Sequence, residues 1–416
     1  MSAYQGQSPF AKGGPRGLKG ASSANFEHFS RHSPRGRIDS RSLPIHLSYC
    51  HNRAVGSRIP RVYREKEILK MSLTRIAIVN ITGYIGAEVA RLLCGHPKVE
   101  IVSVTGRSEA GKRLGSVMPH LSQLDLTIEA AAGEADLIFS ALPHKASAEA
   151  IIPLIEKGIK VIDLSADFRL KEAGQYQQWY DHVHPAPELL RKAVYGIPEL
   201  HRAEVAKAQL VANPGCYPTS AILGLAPAVK AGLIKRDIIV DSKSGVSGAG
   251  RTPSLTTHFP EVNENVSAYS MDGHRHLPEI VQELQALQPK ETLMITFLPH
   301  LIPMTRGILS SCYAPLVEGK IATTQQGITD LRQVYRDFYK GEAFVKVVDT
   351  PPQTKQAWGS NLCLIYPTID LRTSRLMVVS CIDNLIKGGA GQAIQNMNLM
   401  LGFPETTGLE APPVYP

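Results

Sequence analysis

Residues 75–105 constrain the fold of this chain more tightly than any other stretch. A β-branched run at 75–80 (RIAIVN) passes through Thr82-Gly83-Tyr84-Ile85-Gly86 into a helical pattern at 87–94, and residues 99–105 (VEIVSVT) read as the next strand. Strand, glycine turn, helix and strand in immediate succession make a parallel βαβ unit. Strand signals recur at 135–142 (ADLIFSAL) and 160–164 (KVIDL), with a helix between them running to Lys157. The fold class that follows is α/β, a doubly wound parallel sheet of Rossmann type. After Cys216 the texture changes. Residues 237–242, 293–298, 308–314, 344–348 and 376–382 are strand candidates between longer loops. Few crossover helices and mixed strands predict a second α+β domain on a mostly antiparallel sheet. The last apolar stretch, 391–401 (GQAIQNMNLML), reads as a helix opening behind Gly388, Gly389 and Gly391. These readings divide the chain into a basic leader at 1–70, a dinucleotide domain at 71–217 rejoined by a C-terminal helix at 386–416, and a second domain at 218–385.

Charge bears on the choice of partner. The chain carries 45 Lys and Arg against 37 Asp and Glu, a formal +8, which on its face suggests nucleic acid or a membrane surface. Position removes that reading. Residues 1–70 hold 13 of the basic residues and only four acids, so the remainder has 32 basic and 33 acidic residues and is nearly neutral. The leader is rich in Ser, Arg and Gly and has no sustained apolar period. Three origins remain open for it: a transit peptide, a disordered basic tail, or upstream sequence translated from a misassigned start. Met71 lies just before the first strand, and Arg64-Glu65-Lys66-Glu67 can be encoded wholly by purines, as a ribosome-binding site would be. The expected compartment is the cytoplasm, or a plastid if the leader is a transit peptide. No apolar run approaches the roughly 18 to 20 residues of a membrane span. Six dispersed cysteines form neither a CxxC pair nor a zinc-spaced cluster, so no disulfide framework and no metal is expected.

The turn after the first strand is where a Rossmann unit meets a pyrophosphate, through close backbone approach and the N–H groups of a helix N-terminus. Thr82, Gly83, Tyr84 and Gly86 are therefore candidate cofactor contacts. Asn80 stands where a first glycine is usual; Asn tolerates positive φ better than most residues. The second strand ends in Thr105-Gly106-Arg107-Ser108 with no acid at its tip. An acid there favours NAD, whereas Arg accommodates a 2′-phosphate, so Arg107 and Ser108 point to NADP.

Two further stretches carry chemistry. NPGCYPT at 213–219 places Cys216 between turn residues and a helical run. A thiol at a helix N-terminus is expected to have a lowered pKa, as a nucleophile needs. Sixty residues on, GHRHLPE at 273–279 supplies His274, His276 and Glu279. No third ligand completes a zinc site, so acid–base work suits His276 better, with Glu279 orienting its ring. The small-residue loop SGVSGAGR at 244–251 ends in Arg251, and a second loop at 299–307 holds Arg306; either arginine could grip a phosphate or carboxylate.

Taken together, NPGCYPT, GHRHLPE, SGVSGAGR and the turn Gly83-Tyr84-Ile85-Gly86 resemble the N-acetyl-γ-glutamyl-phosphate reductase family, of the aspartate-semialdehyde-dehydrogenase-like group. The resemblance covers roughly residues 75–403 and leaves 1–70 uncovered; Asn80 departs from the family's usual first glycine. It implies an NADPH-dependent reduction of N-acetylglutamyl 5-phosphate to the semialdehyde in arginine biosynthesis. It also implies that Cys216 forms a thioester, that His276 is the acid/base and that Glu279 orients it. His274, Arg251, Ser247 and Arg306 fall where substrate contacts are expected, and Asn361 and Gly391 where the nicotinamide end of NADP(H) is approached. The 218–385 domain is then catalytic and dimerising, within a homodimer or homotetramer whose partner is a small acyl phosphate, with neither nucleic acid nor membrane. Two other readings stay open. One is a longer acyl phosphate of lysine biosynthesis, since one methylene changes binding by only about 1–3 kcal/mol. The other is a cofactor-sensing protein in which Cys216 is structural, although such a protein needs no Cys–His pair.

Overall fold

In a computed structural model that describes residues 73–416, the first strand is β1, Thr74–Val79, with Ile76, Ala77 and Ile78 fully buried. Burial on both faces is what a central parallel strand requires, and it explains the unbroken apolar run. Six more strands complete its sheet: β2 (Val99–Thr105), β3 (Ile128–Glu129), β4 (Leu137–Ser140), β5 (Lys160–Asp163), β6 (Val194–Tyr195) and β7 (Leu210–Ala212). Their order is β3-β2-β1-β4-β5-β7-β6, and every pairing is parallel. The strand order reverses between β1 and β4, the switch point at which open α/β sheets bind ligands.

The second sheet comprises β8 (Asp237–Ser244), β9 (Ser267–Ala268), β10 (Met294–Leu301), β11 (Ile308–Pro315), β12 (Val345–Val347), β13 (Cys363–Asp370) and β14 (Arg375–Ile382). Its order is β12-β13-β14-β11-β8-β10-β9. Four of its six pairings are antiparallel, and β8–β10 and β12–β13 are parallel. Alternating burial along β8 and β11 leaves one face in the core and the other, including Ile239, open in the single chain.

The helix Cys216–Lys230 ties the two sheets together. Every residue from Tyr217 to Val229 is buried, and it packs on β11, β14 and the helix Leu277–Leu287. It starts where it does because Gly215 is extended, and Pro218 is tolerated because first-turn N–H groups have no helical partner to lose. At the C-terminus, residues 386–416 are not one helix. A π-helical turn, Ile386–Ala390, leads into the helix Gly391–Met400, and the remainder is irregular. That helix returns to the first sheet, against β5 and the helix Tyr84–Leu93, with Lys160 Nζ donating to Met400 O at 2.8 Å. No described helix is long and apolar enough to cross a membrane.

Candidate active site

The turn after β1 is built by Asn80 and Gly86. Asn80 adopts φ 68°, the left-handed region that Asn enters more readily than most residues. Its side chain locks the turn by donating to Ala141 O at 2.8 Å, at the end of β4. The residue in the first-glycine position thus adds a cross-link that glycine cannot make. Gly86 has no alternative: a β-carbon there would lie 2.4 Å from Asn80 O. The helix Tyr84–Leu93 that follows has no side-chain N-cap and no acid in its first turn, so its N–H groups face a ligand position.

This turn forms one end of a cleft of about 1140 Å³ that continues to Cys216 and His276. Thr82, Gly83, Tyr84, Arg107 and Ser108 line it, as do Ser247 and Arg251 from the second domain. A dinucleotide fits these walls: close-approach glycines, free helix N–H groups and a basic far end. Arg251 reaches across to the turn, donating to Thr82 O at 2.9 Å, so it stands at the dinucleotide end of the cleft. Ser247 accepts a hydrogen bond from Asn384 Nδ2 at 3.0 Å.

Around the thiol the packing is tight. Cys216 is the first residue of its helix and is partly exposed to the cleft. A β-carbon on Gly215 would meet His276 Nε2 at 2.6 Å, and one on Gly388 would meet Cys216 Cβ at 2.7 Å. Glu279 is wholly buried. Its carboxylate accepts from the Gly215 N–H (3.0 Å), the Tyr195 hydroxyl (2.8 Å) and Arg169 (3.2 Å). The nearest approach to His276 is 4.0 Å, so Glu279 directly anchors the loop before Cys216 rather than the imidazole. His274 stands behind His276, 4.7 Å between ring centroids, edge-on to Tyr217, Tyr269 and Phe297. Its Nδ1 accepts the His276 N–H at 3.1 Å.

The electrostatics differ from the sequence expectation. Burial pushes the Cys216 thiol up to about 11, with Arg169 opposing. The helix terminus does not make it a thiolate in the free protein, because desolvation outweighs the dipole and the cation. Burial, reinforced by His274 and the nearby arginines, holds His276 well below the ordinary imidazole range. The same cause lowers His274 to about 4. At neutral pH the resting pair is thus thiol plus neutral imidazole, and His276 Nδ1 is buried without a protein partner.

Six residues proposed from sequence do not line the cleft: Gly86, His274 and Glu279, which stand behind its wall, and Arg306, Asn361 and Gly391. The Arg306 guanidinium grips Glu88 through two 2.9 Å bonds. Asn361 and Gly391 are buried behind the wall, where Asn361 donates to Gln395 Oε1 at 2.9 Å and its Oδ1 abuts Gly391. Leu385, Gly388 and Gly389 line the cleft instead. The residue that sequence reasoning missed is Arg169. It is buried, donates to Asn213 O, Leu164 O and Glu279, and lines the cleft beside Cys216. The available signal was the polar run Asp163-Leu164-Ser165-Ala166-Asp167-Phe168-Arg169 at the end of a core strand, the edge on which α/β sheets carry their sites.

A dinucleotide cleft that ends on a cysteine and a histidine defines a nucleotide-dependent oxidoreductase of the semialdehyde dehydrogenase class. Family models agree: residues 75–208 match the semialdehyde dehydrogenase NAD binding domain and 216–384 the semialdehyde dehydrogenase dimerisation domain. The chain belongs to the N-acetyl-γ-glutamyl-phosphate reductase family. It is 56% identical over 344 residues to the reductase of Dehalococcoides mccartyi strain 195, covering 82% of this chain and 98% of the relative. It is 50% identical over 356 residues to that of Heliobacterium modesticaldum, covering 83% and 100%. In fold it is similar to aspartate semialdehyde dehydrogenase II from Vibrio cholerae (TM-score 0.60, 17% identity, 79% and 98% covered). The Candida albicans enzyme, solved with NADP, is similar to the same degree (TM-score 0.60, 16% identity, 79% and 99% covered).

Proposed function

We propose that this chain reduces N-acetyl-L-glutamyl 5-phosphate to N-acetyl-L-glutamate 5-semialdehyde and phosphate, a step of arginine biosynthesis, with Cys216 as the attacking group. The carrying observation is that Cys216 and His276 stand on the wall of the same cleft as the dinucleotide turn. The turn Thr82–Tyr84 would hold the pyrophosphate, and Arg107 with Ser108 the 2′-phosphate of NADPH. Bound NADPH supplies the hydride.

Cys216 Sγ attacks the acyl carbon, the C–O bond to phosphate breaks, and a thioester forms. The thiol proton passes by way of His276 to the departing phosphate. Neutral imidazole is the form that accepts it, which suits the lowered basicity that burial imposes. Reduction of the thioester gives a thiohemiacetal, whose collapse frees the aldehyde and the thiolate; one solvent proton restores the thiol. Arg169, behind the thiol, stabilises its anion and fixes Glu279 under the Gly215 N–H. The open face of the second sheet supports assembly into a homodimer or homotetramer. The free cysteines support a reducing, cytoplasmic setting.

The test is phosphate-dependent oxidation of the semialdehyde in the NADP-coupled reverse assay, run beside the one-carbon-longer analogue. Cys216→Ala is expected to lose turnover while binding NADP normally by calorimetry. Retained turnover would sink the thioester route, and a preference for the longer aldehyde would move the substrate to lysine biosynthesis.

A further inference from the structure

Behind the thiol, Ile386–Ala390 forms a single π-helical turn, in which the Gly388 and Ala390 N–H groups reach back to Asp383 O (3.0 Å) and Leu385 O (2.7 Å). Such bulges are rare and recur at functional sites. This one touches the reacting residue and the loop that leads to it. Gly388 is so close to Cys216 that a β-carbon would sit 2.7 Å from Cys216 Cβ. Gly389 O accepts the Asn213 amide at 3.2 Å, in the loop that leads to the thiol.

Between Ile386 and Gly388 lies Lys387, with an ammonium at zero exposure. It donates to Glu199 Oε1 (2.7 Å) and Gln395 Oε1 (2.8 Å) and lies over the Phe344 ring. Glu199 is equally buried and comes from the helix Pro198–Val205; Gln395 comes from Gly391–Met400. Gln395 also donates to Glu405, which pairs with Arg202. A fully buried ion pair adds little net stability over apolar residues of the same volume, because desolving two charges offsets their attraction. What it does supply is a fixed geometry, through directional bonds to two helices.

We propose that Lys387 is a positioning residue for the reaction: its ammonium pins the π turn to Glu199 and Gln395, and the pinned turn sets the position of Cys216. The charges acting most strongly on the thiol are those of Arg169 and Glu279, so Lys387 works through the place of the turn. The proposal rests on Cys216 being the attacking group.

The test compares Lys387→Met with the double variant E199Q/K387M in the full chain. The readouts are melting temperature, NADP binding by calorimetry, turnover, and the rate of Cys216 alkylation by iodoacetamide followed by mass spectrometry. Lys387→Met strands a buried carboxylate and is expected to melt early. The double variant removes both charges and is expected to melt near wild type. It should nevertheless turn over about tenfold more slowly, as a misplaced reacting group does. Alkylation of Cys216 should slow about fivefold at fixed pH, with KM and NADP affinity changed by no more than about twofold. Wild-type turnover and alkylation in the double variant would overturn the proposal and leave Lys387 a purely stabilising residue. Should the double variant not fold, Gln395→Leu removes one acceptor without stranding a charge; there too, slowed alkylation supports the proposal and wild-type rates overturn it. Cys216→Ser separates the two readings, since turnover in that variant would remove the nucleophile itself rather than its positioning.

Discussion

At Cys216 two elementary effects act in opposite directions. A helix N-terminus favours the thiolate by a few tenths to about 1 kcal/mol near the surface, whereas desolvation shifts buried groups by several pH units. The thiol at about 11 shows burial ahead, with Arg169 recovering part of the loss. His274, at about 4, is neutral above pH 5, and burial holds His276 well below the ordinary imidazole range, so neither imidazole titrates across the neutral range in the free protein. The sign follows: the thiolate fraction grows with pH all the way to about 11. Alkylation of Cys216 is expected to rise about tenfold per pH unit between pH 7 and 9 in the free protein. A rate already level at pH 7 would show a preformed thiolate and reject this account. The residues that carry chemistry were legible in sequence because their neighbours are local: a glycine before Cys216, a second histidine beside His276. Arg306 was misread because its partner, Glu88, lies 218 residues away in the chain. Arg169 stayed hidden because a lone arginine after a strand acquires its meaning only from Asn213 and Glu279, which the fold brings to it.

Among the elements, the helix Tyr84–Leu93 shows what periodicity can and cannot reveal. Its buried face is Gly86, Glu88, Val89, Ala90 and Leu93, an apolar stripe interrupted by one carboxylate. Burial alone would raise the Glu88 carboxyl, but hydrogen bonds and charge from Arg306 and Arg91 outweigh it and hold the carboxyl below its usual range. Arg306 comes from the connection between β10 and β11, so this clamp joins the dinucleotide helix to the second sheet. Glu88→Ala would leave Arg306 with only Asp383, 3.6 Å away, and is expected to lower unfolding free energy by about 3 kcal/mol. A guanidinium unfolding curve measures this, and an unchanged midpoint would mean that solvent already satisfies Arg306. Other elements followed the sequence less closely. β13 escapes the reading because Pro367 sits within CLIYPTID, and proline argues against a central strand. The sheet accommodates it because β12 pairs only as far as Val347–Ile365, so Pro367 lies where β13 has become an edge. β3, β6 and β9, two residues each, are too short to register as a pattern.

For the whole molecule, the formal +8 has little to do with residues 71–416, whose basic and acidic side chains nearly balance. Their response to acid is therefore set by individual buried groups rather than by net repulsion. Burial is the leading cause that lowers five imidazoles, those of His96, His144, His184, His274 and His276. Three of them hold structure through Nδ1: those of His96, His184 and His274 accept the N–H groups of Lys98, Ala186 and His276, and a proton on that nitrogen would end each bond. Below about pH 6.5 the unfolded chain binds protons on these side chains that the native state refuses, so stability must fall as pH drops through that value. Asp163 acts in the opposite sense. Burial raises it to about 6, and its proton, kept in the fold, adds stability at acid pH that is lost as pH rises through 6. One group against five leaves the histidines ahead. The melting temperature is expected to be flat from pH 8.5 to 7.5 and to fall by about 5 °C or more between pH 7.5 and 5. His96→Gln, which keeps a neutral hydrogen-bonding side chain between Lys98 and Asn398, should shrink that fall. A melting temperature that holds or rises from pH 7.5 to 5 would mean that these imidazoles take up protons in the folded protein as readily as in the unfolded chain.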